Sequence, residues 1–300
     1  ELVPRLPGAK VRRMLLLAAG AVLFIVLNGI LKRIASEFEP WVVGLLRYAI
    51  GVAVIGAATL RLGLRALWPR APRLQLVRGV LHSAGMLLWF AALPTVGLTE
   101  LTAIAFTGPI FICIGAAMFL GERMTGARWA AVLIGFAGVL LVLKPGSGSG
   151  FAGVSPGMLL MLASAPVFAG SYLVAKALAG RDRSEVIVLW QHVWVAVLSA
   201  PLALPRWTAP DALQWSLLVA CAFLGTGGHY CMMRAFRVAD ISAVQTVKFL
   251  ELVWAAIFSF FFFGNIPAGA TVLGGAVILA STLLLARHES RAVRPRGATG

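Results

Sequence analysis

The sequence predicts an all-α membrane protein: ten transmembrane helices, as two inverted five-helix repeats around a central cavity. Three observations carry this. Ten stretches are each apolar over about 20 residues, the length that crosses a hydrocarbon core. Basic residues gather at alternate ends of those stretches. The pattern of the first five stretches returns in the last five. The 60% hydrophobic content also stands well above the roughly 45–50% apolar usage of soluble domains.

The first repeat, residues 14–143, holds spans at Met14–Arg33, Val42–Leu62, Gln75–Pro94, Thr99–Leu120 and Ala127–Leu143. Residues 144–155 form a Gly/Ser-rich linker, the composition of a flexible coil. The second repeat, residues 156–287, holds spans at Pro156–Lys176, Val186–Leu204, Leu213–Phe236, Ile241–Phe263 and Ala268–Arg287. Basic tails flank the repeats at residues 1–13 and 288–300.

Charge sets the expected topology. With a cytoplasmic N-terminus, 20 of the 26 Lys and Arg fall on the cytoplasmic side, among them Arg65, Arg70 and Arg73. Only Lys32, Arg33, Lys144 and Arg206 fall on the other side, and Arg47 and Lys248 lie inside spans. Cytoplasmic loops carry such an excess, so both termini are expected inside a bacterial inner membrane. The net charge of +15 then points to anionic lipid at the cytoplasmic face rather than to nucleic acid. Cys113, Cys221 and Cys231 have no spacing that suggests zinc or a disulfide framework, and neither a cofactor nor a metal is expected.

The repeats superpose at a near-constant offset. At 144 residues Lys32 meets Lys176, Val42 meets Val186 and Tyr48 meets His192. At 143 residues Gly85 meets Gly228, Thr99 meets Ser242 and Gly121 meets Gly264. Five crossings per repeat start the second repeat on the opposite side. Inverted repeats of this kind give two related conformations, with a binding site between them near the midplane. Two repeats in one chain already make a pseudo-dimer, so a monomer is expected.

The fourth and fifth spans read Phe106-Thr-Gly-Pro109, Phe119-Leu-Gly-Glu-Arg123 and Gly135-Phe-Ala-Gly138. This resembles the EamA-type repeat of the drug/metabolite transporter superfamily. The second repeat departs from it, with Leu252 where Pro109 predicts proline and Asn265 where Glu122 predicts glutamate. The resemblance implies a ten-helix exporter of small metabolites. Helices 1–4 and 6–9 would surround the cavity, with helices 5 and 10 outside. It is nearest to the aromatic amino-acid exporters. Glu122 and Arg123 are expected to anchor a cytoplasmic helix end.

Polar residues inside spans mark candidate cavity positions. On the third span Arg78, His82, Gly85 and Trp89 share one helical face, suited to a carboxylate and a ring or, alternatively, to packing. Arg78 lies near the cytoplasmic end and is expected to be a headgroup anchor. The other candidates are Asn28, Phe168, Ser171, Tyr172, Gln191, Trp194 and Tyr230. Asn28 could equally be interhelical glue. Pro109 and Pro166, near the middles of their spans, are candidate hinges, since each removes a helix hydrogen bond. Lys248 and Glu251 are expected to form a structural charge pair.

A secondary transporter is the leading reading. It would export small amphipathic metabolites, amino acids including aromatic ones, by alternating access. No Walker motif is present. No second acid occupies the positions related to Lys248 and Glu251, so uncoupled transport or exchange is expected. A membrane sensor or assembly factor, or a membrane-embedded enzyme, are the alternatives. The enzyme lacks paired carboxylates, an activated nucleophile or metal-spaced ligands.

Overall fold

The computed structural model describes residues 7–35, 38–60, 63–92, 95–96, 104, 107–143, 155–237, 241, 244 and 269–292. Among these residues there are nine α-helices and no strand. They are α1 (Pro7–Ala35), α2 (Pro40–Thr59), α3 (Pro72–Ala92), α4 (Gly108–Phe119), α5 (Gly126–Leu143), α6 (Pro156–Ala179), α7 (Ser184–Ala203), α8 (Ala212–Phe236) and α9 (Gly269–Ala292). α1 to α8 take up the first eight predicted spans and α9 the tenth. The ninth predicted span lies outside the described residues apart from Ile241 and Val244, and Lys248 and Glu251 fall there.

Five helices are long and apolar enough to cross a bilayer: Pro40–Thr59, Pro72–Ala92, Pro156–Ala179, Ser184–Arg206 and Ala212–Phe236. The other four carry shorter apolar stretches. Large apolar side chains face outward around the bundle, among them Leu60, Phe119, Leu141, Val197, Phe223 and Leu284. A soluble protein rarely exposes so much apolar surface, whereas lipid covers it at no cost.

Local chemistry sets the helix ends. Ser155 accepts the Met158 N–H at 3.3 Å, with Pro156 at the first helical position. Asp211 and Gln214 form a capping box that starts α8. Beyond α4 the chain turns at Gly121, whose φ of +65° lies in the left-handed region that favours glycine. Glu122 then accepts the Ile241 N–H at 2.8 Å. The expected helix-end anchor thus binds the first repeat to the second.

Packing follows the repeat. α1 lies along α8 and α3 along α6, two pairs that the repeat correspondence exchanges. α2 lies along α7, and α5 along α9, pairs that map onto themselves. α3 also meets α7 as α2 meets α8. Contacts between neighbouring helices of one repeat are much sparser. Such a pattern is that of two halves related by a pseudo-two-fold axis, each completing its core only against the other. α5 and α9 touch no other helix extensively among the described residues, the outer placement that the family resemblance implies.

Two glycines show the same symmetry in side chains. A Cβ on Gly85 would stand 3.0 Å from the Phe168 ring, and one on Gly228 would stand 3.0 Å from the Phe24 ring. Gly228 is the repeat mate of Gly85, and Phe168 stands 144 residues after Phe24. Each glycine leaves the space into which the other repeat's ring settles.

Candidate functional site

Where α2, α3, α6, α7 and α8 meet, polar side chains fill the middle of the bundle. Arg47, Arg78, His82, Ser171, Gln191, His192, Thr226 and His229 are all buried. In lipid such groups need internal partners, and most find them.

His82 is the hub. Arg78 donates one guanidinium N–H to the Ile187 carbonyl at 2.7 Å and another to Gln191 Oε1. That fixes the Gln191 amide, so its nitrogen faces His82 Nε2 at 2.8 Å as a donor. His82 Nε2 is therefore an acceptor, and it also takes the Tyr48 hydroxyl at 3.2 Å. The proton then sits on Nδ1, which meets Ser171 Oγ at 3.3 Å. Ser171 donates in turn to the Arg78 carbonyl at 3.5 Å. Arg78, Gln191, His82 and Ser171 thus close a ring of hydrogen bonds across three helices.

The same logic assigns the other two histidines. Gln191 offers its second amide hydrogen to His229 Nε2 at 3.4 Å, which leaves the His229 Nδ1–H without a partner. His192 donates from Nδ1 to the Val188 carbonyl at 2.8 Å and accepts from Thr226 at Nε2, 3.2 Å away. The three imidazoles lie close, with His82 and His229 centroids 5.4 Å apart and His192 and His229 6.0 Å apart. No group of three or more His, Cys, Asp or Glu among the described residues is arranged to hold a metal ion.

Beside this core lies an aromatic cleft of about 170 Å³ between α3, α4 and α6. Trp89, Pro109, Met161, Ser164, Phe168 and Tyr172 line it. Phe168 and Tyr172 also meet the His82 ring edge-on, at 5.3 and 6.4 Å, so they form the wall between cleft and polar core. Trp89 lies near the end of α3 and Met161 near the start of α6. The cleft thus occupies the half of the bundle away from the start of α3.

The opposite end is tied shut by bonds across and within the repeats. Buried Asp182 accepts the Arg70 backbone N–H at 2.7 Å and the Gln75 amide at 2.8 Å. Its carbonyl accepts from Arg237 at 2.9 Å. Lys176 donates to the Phe236 carbonyl at 2.6 Å, and Trp190 to the Leu67 carbonyl at 2.9 Å.

The candidate residues thus fall in several places. His82, Ser171 and Gln191 meet in the polar core, whereas Trp89, Phe168 and Tyr172 line the cleft. Trp194 packs against Gly79. Tyr230 donates to Glu185 at 3.2 Å near the tied end, with Arg234 against its hydroxyl. Asn28 is exposed on α1 and belongs to neither core nor cleft. Pro166 lies inside α6. Pro109 lines the cleft and sits in the first turn of α4, after the helical Ile104 and a turn at Thr107.

One expectation is overturned. Arg78 is no headgroup anchor, since its guanidinium points inward onto α7 and the residue is 0% exposed. Sequence reasoning also passed over Arg47 as a site residue and the convergence of three histidines. The pairing of Tyr48 with His192 at a constant offset was the available signal.

Comparison with known proteins places this architecture. The model of the EamA-like transporter family matches twice, over residues 12–144 and 155–287. A riboflavin transporter of Rhizobium johnstonii is 36% identical over 236 residues, covering 78% of this chain and 76% of that protein. An S-adenosylmethionine uptake transporter of Rickettsia prowazekii is 26% identical over 87% of this chain and 88% of its own. A pseudopaline exporter of Pseudomonas aeruginosa is 26% identical over 92% and 96%. A crystal structure at 21% identity superposes with a TM-score of 0.79, covering 94% of this chain and 99% of the other. With both repeats matched and a close relative across most of its length, this multi-pass membrane chain belongs to the EamA-like transporter family.

Proposed function

We propose that this transporter moves small amphipathic metabolites that carry a planar ring, aromatic amino acids among them, by alternating access. The observation that supports this is the aromatic cleft of Trp89, Phe168 and Tyr172 set directly against a hydrogen-bonded polar core. Ring faces and edges offer stacking and apolar contact, while the core offers fixed donors and acceptors. The relatives carry out both uptake and export, so net direction is read here as following the solute's own gradient, with export when the solute is made inside. The chain works as a monomer with both termini in the cytoplasm, its basic loops against anionic lipid.

Liposomes holding purified protein test this. Tryptophan and S-adenosylmethionine should exchange across the membrane faster than lysine, and an imposed pH gradient should not drive accumulation. Equal rates for ring-bearing and ring-free solutes would sink the aromatic assignment. Accumulation that collapses with a protonophore would sink the uncoupled mechanism.

A further inference from the structure

Two guanidinium groups lie buried between the repeats with no carboxylate paired to them among the described residues. Arg78 is 0% exposed and Arg47 6% exposed. Elsewhere Arg183 pairs with Glu185 at 3.6 Å and Arg206 with Glu39 at 3.7 Å, both with well-exposed arginines. Arg78 is at least hydrogen-bonded, to Ile187 and Gln191. Arg47 donates no hydrogen bond among the described residues, and its Nε is sealed from solvent without a partner.

The surroundings of Arg47 offer it little. Its guanidinium lies 4.5 Å from the centroid of the Tyr48 ring, and a side chain at Gly225 would collide with it. A ring face supplies only part of what a buried cation loses on leaving water. A charged side chain inside a membrane span marks a substrate or ion path by default, and an unpaired one asks for a mobile partner. Two further unpartnered donors lie in the same core, the Arg78 Nε and the His229 Nδ1–H. All three are donors, so the missing partner is an acceptor, and the excess charge makes it an anion. A carboxylate fits best, because its two oxygens match the forked N–H groups of a guanidinium.

We infer that the polar core binds the carboxylate of the transported solute, with Arg47 as its counter-charge and Arg78 and His229 as further donors. This rests on the reading of the chain as a ring-selective transporter, and it adds the second half of the substrate: a ring in the cleft and a carboxylate in the core.

The test is equilibrium binding to purified protein at constant ionic strength, followed by thermal unfolding, with benzoate, benzamide and inorganic phosphate as probes. Benzoate should stabilise saturably, at a concentration at least about tenfold lower than benzamide. Arg47→Gln should lose that preference, and Arg47→Lys should keep part of it. Equal effects of benzoate and benzamide would overturn the inference, as would a benzoate preference that survives in Arg47→Gln. Equal, saturable stabilisation by phosphate would overturn the carboxylate assignment. If Arg47→Gln does not fold, the benzoate and benzamide comparison on the unmutated protein decides alone. Ring-selective flux in liposomes without a benzoate preference would defeat this inference and leave the transport reading standing. Benzoate binding without flux of any solute would do the reverse.

Discussion

Tyr48 and His192 hold equivalent places in the two repeats, and their rings meet edge-on with centroids 5.0 Å apart. A residue that touches its own repeat mate lies beside the pseudo-two-fold axis. The axis therefore runs through the polar core, and the residues around it belong to both halves at once. The Tyr48 hydroxyl also bonds His82, so it ties the axis to the hub.

Tyr48→Phe removes that hydroxyl but leaves the His82 acceptor satisfied by Gln191. The expected cost is about 0.5–1.5 kcal/mol, the net worth of one hydrogen bond. Thermal unfolding of the variant in detergent measures it, and a loss several times larger would mean that the hydroxyl holds more than His82.

The paired glycine seats predict a paired response. Gly85→Ala and Gly228→Ala each push a Cβ to 3.0 Å from a phenylalanine ring. Overpacking of this kind costs about 1–3 kcal/mol. Adding Phe168→Leu to Gly85→Ala should recover much of the loss, and Phe24→Leu should do the same for Gly228→Ala. Strictly additive losses in the double variants would show that ring and glycine do not interact.

Trp89 and His82 should separate in their effects. Trp89→Ala is expected to weaken flux of ring-bearing solutes with little change in unfolding temperature, because the residue lines the cleft. His82→Ala leaves the Gln191 amide, Ser171 and the Tyr48 hydroxyl short of a partner, so it should lower stability by about 1–3 kcal/mol as well as flux. Full activity in both variants would remove this region from the solute path.

Asp182→Ala withdraws one carboxylate from two donors, the Arg70 N–H and the Gln75 amide. The tied end should open more often. A cysteine placed at Leu67, whose carbonyl bonds Trp190 at that end, should react faster with a thiol reagent in this background. An unchanged labelling rate would mean that the remaining bonds suffice to hold that end.

Orientation has its own check. With both termini cytoplasmic, a lone cysteine at Ser149 should react with an impermeant thiol reagent on whole cells, and one at Ala66 should not. The reverse pattern would invert the topology.

Much of the fold was legible because span length and repeat offset are properties of the chain alone. The place of Arg78 was not. Its position near a span end suggested lipid, but where a side chain goes depends on the neighbouring helix, and α7 offers it the Ile187 carbonyl and Gln191. Asn28 shows the converse, a polar residue inside a span that faces outward. The glycine seats were within reach, since Phe24 and Phe168 share the offset of Tyr48 and His192. Apolar matches are cheap, and only contact distances single out those that meet.

One carboxylate at Asp182 gathers a backbone N–H and a side-chain amide from the first repeat, while its own carbonyl takes an arginine from the end of α8. Parting the halves there cannot proceed bond by bond, because moving Asp182 away from the first repeat strains both of those contacts together, while the Arg237 contact stays within the second repeat. Release is then a threshold event rather than a gradual loosening, with waiting times in the microsecond-to-second range typical of collective transitions. Turnover limited by such a step would rise steeply on warming and saturate at modest solute concentration, the kinetic signature that distinguishes a carrier from a pore.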